Sequence, residues 1–362
     1  MNLSLKILLL KNLQTPTKLY PMHKLILMAT VLSISTMLFA QSDSANYFLQ
    51  KGLDEKTKGR LMESLKQFEK AYSYNKSDVK VVTELASTYV NLRRYGQARE
   101  KYQQLEQMGT TSVDVYKQIM LLSFNMRLFE DAIKYANVLK KLDPTEKVSY
   151  YLGKANYERE YYGDAIKFLD AAANEDPNNA EIPYLIAKAY ADMMNYKQAV
   201  VYFQKAITLK PDQGYWIYEM ALMYYGMHDD KNALKYMLEA PEKGMKRDNE
   251  YLENLGIAYL NTGKLNEGLA ILKEMLQRRP SDVNLLNMIA EAYYDAKKYD
   301  EAIDHWDQLL ILDKSDASAL YMIGLSYQKK GEKQKGVALC DKAIEMDPSL
   351  AKNKQKIQMP GM

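Results

Sequence analysis

Small residues recur in this chain at one fixed interval, and that interval leaves few folds open to it. The stretches "YGQAREKYQQL" (95–105), "FEDAIKYANVL" (129–139), "YGDAIKFLDAA" (162–172), "YKQAVVYFQKA" (196–206) and "YDEAIDHWDQL" (299–309) align on Ala98, Ala132, Ala165, Ala199 and Ala302. The first three steps between these alanines are 34, 33 and 34 residues. The same ruler reaches Ser64 upstream and Ala233, Gly268 and Gly336 downstream. It predicts nine units, at 45–78, 79–112, 113–145, 146–179, 180–213, 214–248, 249–282, 283–316 and 317–350. A second series stands twelve residues before the first: Gly52, Ala86, Met120, Gly153, Ala187, Ala221, Gly256, Ala290 and Gly324. Two small sites per unit are what two helices need in order to approach closely, since a longer side chain holds them apart.

Larger side chains keep the same register. Three residues after the first small site come Tyr89, Tyr190, Tyr224, Tyr259, Tyr293 and Tyr327, and four after the second come Phe68, Tyr102, Leu169, Phe203, Met237, Leu272 and Trp306. Most units close on a stop such as "LDP" (142–144), "EDP" (175–177), "LKP" (209–211), "RRP" (278–280) or "MDP" (346–348). Proline cannot continue a helix, so each unit reads as two helices and a break. Composition agrees: 30 Tyr and 21 Met against only 16 Gly and 10 Pro suit helices joined by short turns, and the chain is expected to be all-α.

This pattern resembles the tetratricopeptide repeat family, whose unit is 34 residues of helix, turn and helix. "NEYLENLGIAYLNTGKLNEGLAILKEMLQRRP" (249–280) carries Leu255, Gly256, Tyr259, Gly268, Leu272 and Pro280 at the family's signature places. The resemblance spans residues 45 to 350 and implies a right-handed superhelix, an α-solenoid of nine helix-turn-helix repeats. The chain departs from the pattern where Met120 replaces a small residue and where Glu55, Ser123 and Asn156 replace the signature tyrosine. The sixth unit is one residue longer than the 34-residue repeat, and Pro241 and Gly244 are expected to end its second helix early and to change the superhelical twist locally. Pro183 falls in the first turn of a helix, where its missing N–H is tolerated.

In this family the first helix of each unit lines a concave face. Carried onto the middle of the chain, the inward places hold Tyr150, Lys154, Tyr157 and Glu158, then Tyr184, Lys188 and Asp192, then Tyr215, Tyr218 and Tyr225. Tyrosine offers a rigid contact surface with a polar tip, so the expected partner is a protein or peptide, held as an extended segment or a helix. Packing of these rings against neighbouring helices is the alternative. Some family members grip a C-terminal carboxylate with lysine and asparagine. The ninth places here read Leu53, Ser87, Leu121, Lys154, Lys188, Leu222, Ile257, Glu291 and Leu325, with no asparagine, so that clamp is not expected.

One segment looks like chemistry. "YDEAIDHWDQLL" (299–310) packs Asp300, Glu301, Asp304, His305 and Asp307 around Trp306. In the repeat register Ala302, Trp306, Leu309 and Leu310 form the apolar stripe, which puts the four carboxylates on the solvated side, with no point on which metal ligands converge. The chain holds no P-loop, Gly-x-Ser-x-Gly elbow or His-Glu-x-x-His. His228 falls in the predicted turn "YGMHDDK" (225–231), and Cys340, at the layer-filling place of the last unit, is expected to be a buried thiol. No enzyme, cofactor or metal is predicted.

Charge narrows the partner further. Lys6, Lys11, Lys18 and Lys24 all precede residue 41, leaving 45 of the 49 Lys and Arg against all 46 Asp and Glu in the remainder. A near-neutral body lacks the basic footprint of a nucleic-acid binder. "MHKLILMATVLSISTMLFAQ", from Met22, has the layout of a secretory signal, with cleavage expected after Ala40 and Met22 as the start. The predicted location is a bacterial periplasm, where the protein would serve as a scaffold in an envelope assembly. Two alternatives remain: a membrane-tethered scaffold that retains this apolar run, and a glycan- or peptidoglycan-binding module. Residues 351–362 are expected to form a polar tail or cap on the last helix.

Overall fold

The computed structural model describes residues 43–352, so the leader and residues 353–362 of the tail lie outside the described residues. Eighteen α-helices and no strand occur among them. In chain order these are α1 (43–57), α2 (Leu61–Tyr74), α3 (Val79–Asn91), α4 (Tyr95–Gln107), α5 (Val113–Asn125), α6 (Phe129–Leu142) and α7 (Ser149–Glu158). There follow α8 (Tyr162–Glu175), α9 (Glu181–Asp192), α10 (Tyr196–Leu209), α11 (Gly214–Gly226), α12 (Asp230–Glu242) and α13 (Asn249–Asn261). The last are α14 (Leu265–Arg278), α15 (Val283–Asp295), α16 (Tyr299–Leu312), α17 (Ala317–Lys330) and α18 (Lys333–Met346), with a 3₁₀ turn at Pro348–Leu350. The chain forms two compact units that divide between Arg159 and Glu160, the first holding α1 to α7 and the second α8 to α18.

The small residues do what their spacing requires. Both series are buried throughout, and in the first, seventh and ninth repeats the two sites of the helix pair face each other. A Cβ on Gly268 would lie 2.9 Å from the Gly256 carbonyl oxygen, and one on Gly336 2.5 Å from that of Gly324. Ser64 goes further, donating its hydroxyl to the Gly52 carbonyl at 2.8 Å. Phe68, Leu169, Phe203, Leu272 and Trp306 fill the layers at no more than 1 % exposure, which makes them the core of their units.

The turn inside each pair follows one design that residue types conceal. Gly59, Arg93, Arg127, Glu160, Met194, His228, Gly263, Lys297 and Gly331 all have φ between 57° and 98°, at the 34-residue step with one step of 33 and one of 35. After Arg93, His228 and Lys297 the next N–H reaches back five residues, from Arg94 to the Tyr89 carbonyl at 2.8 Å, Asp229 to Tyr224 at 2.9 Å and Lys298 to Tyr293 at 2.9 Å. This is a Schellman closure that satisfies an orphan carbonyl of the first helix. Glycine takes that conformation freely, whereas a side chain strains it by about 1–2 kcal/mol. Met194, 77 % exposed, has little packing to lose. Met194→Gly is therefore expected to raise the second unit's unfolding free energy by about 0.5–1 kcal/mol in a denaturant titration. A loss of stability would show that the methionine side chain matters there.

Helix starts and stops are also local chemistry. Asp78, Ser112, Asp248, Asp282 and Asp316 cap α3, α5, α13, α15 and α17, each accepting a backbone N–H from the first turn. Asp143, Asp176, Lys210, Arg279 and Asp347 stand just past helix ends and directly before prolines, which deny them the α conformation. Asp143 and Asp313 each accept from a hydroxyl and an N–H two residues on, and those hydrogen bonds hold both carboxyls below the usual range.

In the sixth repeat the second helix ends one residue early. Pro241 sits inside α12, one residue before its end, and α12 stops nine residues past Ala233, where α10 runs ten past Ala199. The longer connection then folds back on the start of α11. The Gly214 N–H donates to the Lys243 carbonyl at 3.1 Å, and a Cβ on Gly214 would meet the Ala240 oxygen at 2.3 Å and the Met245 nitrogen at 2.7 Å.

Candidate functional site

The predicted contact residues fall in both units. In the first unit α7 carries Tyr150, Lys154 and Tyr157 on successive turns, all half-buried. Lys154 donates to the Tyr150 hydroxyl at 3.2 Å, with its ammonium 5.6 Å from that ring's centre. Tyr150 meets Tyr151 edge-on at 5.5 Å, and Tyr151 in turn meets Phe124 at 5.2 Å. Glu158, at the end of the helix, is tied to Arg127 at 2.6 Å.

In the second unit the site is built from α9 and α11. Tyr184 stacks on Trp216 with centroids 4.6 Å apart and planes 16° from parallel, and meets Phe203 edge-on at 6.0 Å. Lys188, one turn along α9, lies 5.9 Å from the Tyr184 ring and 3.7 Å from Glu219 of α11. Glu219 keeps 15 % of its side-chain surface, and its Oε2 is buried with no hydrogen-bond partner. Burial pushes its carboxyl above the usual range, with Lys188 and a Tyr184 hydrogen bond opposing.

The four remaining positions separate. Tyr215 is 59 % and Tyr225 39 % exposed, as contact residues must be. Tyr218, only 4 % exposed, packs at 5.7 Å from Tyr251 and accepts from the Asn254 amide at 2.7 Å, so the structure places it in the packing of the second unit. Asp192 is exposed at the end of α9. Trp216, Glu219 and Asn254 lie off the inward places assigned by register. A carboxylate inside the apolar run "WIYEMALMYY" was the available signal for Glu219.

Because the folded state raises the Glu219 pKa, it holds that proton more firmly than the unfolded chain does. This contribution is fully present below the ordinary glutamate pKa of about 4.3 and is lost as pH rises through the higher folded value. The stability of the unsubstituted chain relative to Glu219→Gln should therefore increase as pH falls from about 7 towards about 4. Melting both proteins across that range checks this, and a difference independent of pH would remove the claim.

The acidic stretch on α16 resolves as a surface. Asp300, Glu301, Asp304 and Asp307 are exposed, and Trp306 is fully buried. His305 Nδ1 lies 2.8 Å from the Glu301 carbonyl, its ring 5.5 Å from Tyr293. Among the described residues no three His, Cys, Asp or Glu side chains gather where a metal could sit. His228 is an exposed turn residue and Cys340 a buried thiol 3.3 Å from the Gln328 amide. No described helix is long and apolar enough to cross a membrane.

Comparison with known proteins bears on the register directly. Family models described as TPR repeat and tetratricopeptide repeat match residues 290–331 and 317–350. A model described as anaphase-promoting complex, cyclosome, subunit 3 matches 125–206 and 226–309. No curated protein matches the chain. Among solved structures, YrrB, described as a TPR protein with an unusual peptide-binding site, is 20 % identical at a TM-score of 0.42, covering 52 % of this chain and 97 % of its own. The pilF protein of Pseudomonas aeruginosa is 16 % identical at 0.36, covering 70 % and 99 %. The Cut9-Hcn1 hetero-tetramer of the anaphase-promoting complex is 16 % identical at 0.36, covering 79 % and 57 %. With its paired small sites, a left-handed turn at a 34-residue step and matching repeat models, the chain belongs to the tetratricopeptide repeat family.

Proposed function

We propose that the chain is a non-enzymatic adaptor that holds an extended peptide or a partner helix against the first helices of its repeats. Tetratricopeptide repeats serve in general as scaffolds for protein–protein interaction, and the finer reading concerns where and what this one binds. The observation that carries it is the α9–α11 cluster, where a stacked Tyr184–Trp216 pair adjoins Lys188 and a buried Glu219 oxygen without a partner. A partner donor reaching that oxygen would relieve an unsatisfied acceptor, while the rings supply contact area at low entropy cost. Exposed Tyr215 and Tyr225 extend the surface, and Tyr150, Lys154 and Tyr157 offer a similar set in the first unit. Tyr218 supports the site by packing.

The adaptor acts after export, in the envelope of a bacterium, on the strength of the sequence from Met22 to Gln41. N-terminal sequencing of the protein from its cells tests this: a start at Gln41 supports export with cleavage, and retention of residues 25–39 supports a membrane-tethered scaffold instead. Binding is tested by capture from envelope extracts, comparing the chain with a variant carrying Tyr184→Ala, Lys188→Ala and Tyr215→Ala. Proteins lost from the variant at unchanged helicity support the reading, and an identical captured set removes it from the second unit. Capture of cell-wall material that survives protease treatment would turn the reading to glycan.

A further inference from the structure

We propose that the groove between α13 and α15 takes a long cationic side chain, arginine above lysine, from a partner polypeptide. The groove encloses a cavity of about 480 Å³ within the second unit. Ile257 and Leu260 of α13, Leu265 of α14, and Met288 and Ala292 of α15 give it an apolar lining. Each of these is at least half-buried, yet together they leave an opening that no described side chain fills. At its rim stand Glu291 and Asp295, both exposed and one turn apart on the same face of α15, and among the described residues no lysine or arginine lines the cavity.

The charge is placed by a relay that begins in the core. Buried Trp306 donates its indole N–H to Asn287 Oδ1 at 2.9 Å, and the Asn287 amide donates to Glu291 Oε1 at 2.9 Å. A buried indole seeks an acceptor, so Trp306 orients Asn287, and Asn287 fixes one oxygen of Glu291. Asp295 lies four residues on, where two like charges disfavour the helix slightly until a cation comes between them. A ligand that matches this chemistry needs a long apolar stem and a positive head. Lysine and arginine side chains have that form, and the planar guanidinium can bridge two carboxylates where an ammonium meets one at a time.

The inference deepens the adaptor reading, but its site lies on helices other than α9 and α11, so the two can fail separately. The test uses the full chain and four labelled, end-blocked octapeptides in which alanine alternates with arginine, lysine, glutamine or glutamate, followed by fluorescence anisotropy. The arginine peptide is expected to bind best and lysine next, with glutamine and glutamate undetectable. Glu291→Gln should weaken arginine-peptide binding about 10-fold, the scale of one charge-assisted hydrogen bond. Trp306→Phe, which keeps an aromatic ring of smaller size and deletes the N–H, should weaken it by a smaller factor. Glu301→Gln, on the exposed face of α16, should change nothing, and neither should Tyr184→Ala with Lys188→Ala. Equal binding of the arginine and glutamine peptides, or no binding, overturns the proposal. So does a loss in Glu301→Gln as large as that in Glu291→Gln, which would mark diffuse surface attraction. If only the Tyr184 and Lys188 variant loses affinity, the adaptor site stands and this groove does not.

Discussion

Gly214→Ala is expected to destabilise the second unit by about 3 kcal/mol, although alanine is the better helix former by about 1 kcal/mol. Gly214 is the first residue of α11, and its Cα faces the connection that follows α12 rather than solvent. A Cβ there would lie 2.3 Å from the Ala240 oxygen, 2.7 Å from the Met245 nitrogen and 2.8 Å from the Lys243 oxygen. All three are backbone atoms, so no rotamer change can make room, and the Gly214 to Lys243 hydrogen bond must break or the connection must move. Gly163→Ala is the control, because a Cβ there meets nothing within 4 Å. That substitution should be neutral or mildly stabilising, by no more than about 1 kcal/mol. Denaturant unfolding of both variants decides the matter, and a Gly214→Ala protein as stable as Gly163→Ala would mean that this close approach is not present in solution.

Trp306→Ala should cost about 3–5 kcal/mol, the range for removing a buried aromatic ring and leaving its cavity. Trp306 is fully buried among Leu285, Leu286, Ile289, Ile303 and Leu309, with Tyr294 edge-on at 6.0 Å. Neighbouring layers interdigitate with it, so collapse cannot fill the space without moving α15 or α17. Asp304→Ala, two residues away on the same helix, should change stability by less than about 0.5 kcal/mol because its side chain is in water. The contrast separates two readings of one acidic-looking segment. If Asp304→Ala were the more damaging, the stripe assignment of α16 would be wrong, and the carboxylates would deserve a chemical role.

The repeat was legible from sequence because its cause is local and steric. Two helix backbones can touch only where side chains are small, so the contact appears as Gly, Ala or Ser at fixed intervals, as in Gly268 against Gly256. Trp306 could be placed in the core for the same reason, since a register known from alanines fixes the facing of every residue in between. Helix stops before proline were equally local. The turns were legible in position but not in conformation: six of the nine left-handed residues are not glycine, and nothing in Arg93 or Met194 as residue types announces a positive φ.

The contact surface was legible only as a stripe. Tyrosine serves equally well in a core, with its hydroxyl bonded, or on a surface, with its hydroxyl in water. Register put Tyr215 and Tyr218 on one face, yet the first is open and the second is closed over by Tyr251 and Asn254, residues more than thirty positions away. Glu219 beside Lys188, Lys243 over Gly214, and the line from Trp306 through Asn287 to Glu291 share that origin. By itself the sequence determined which residues meet within a helix pair, because there one period sets both partners. Which residues of successive pairs meet was decided by the tertiary stacking, where the approach depends on the summed geometry of helices, turns and one inserted residue.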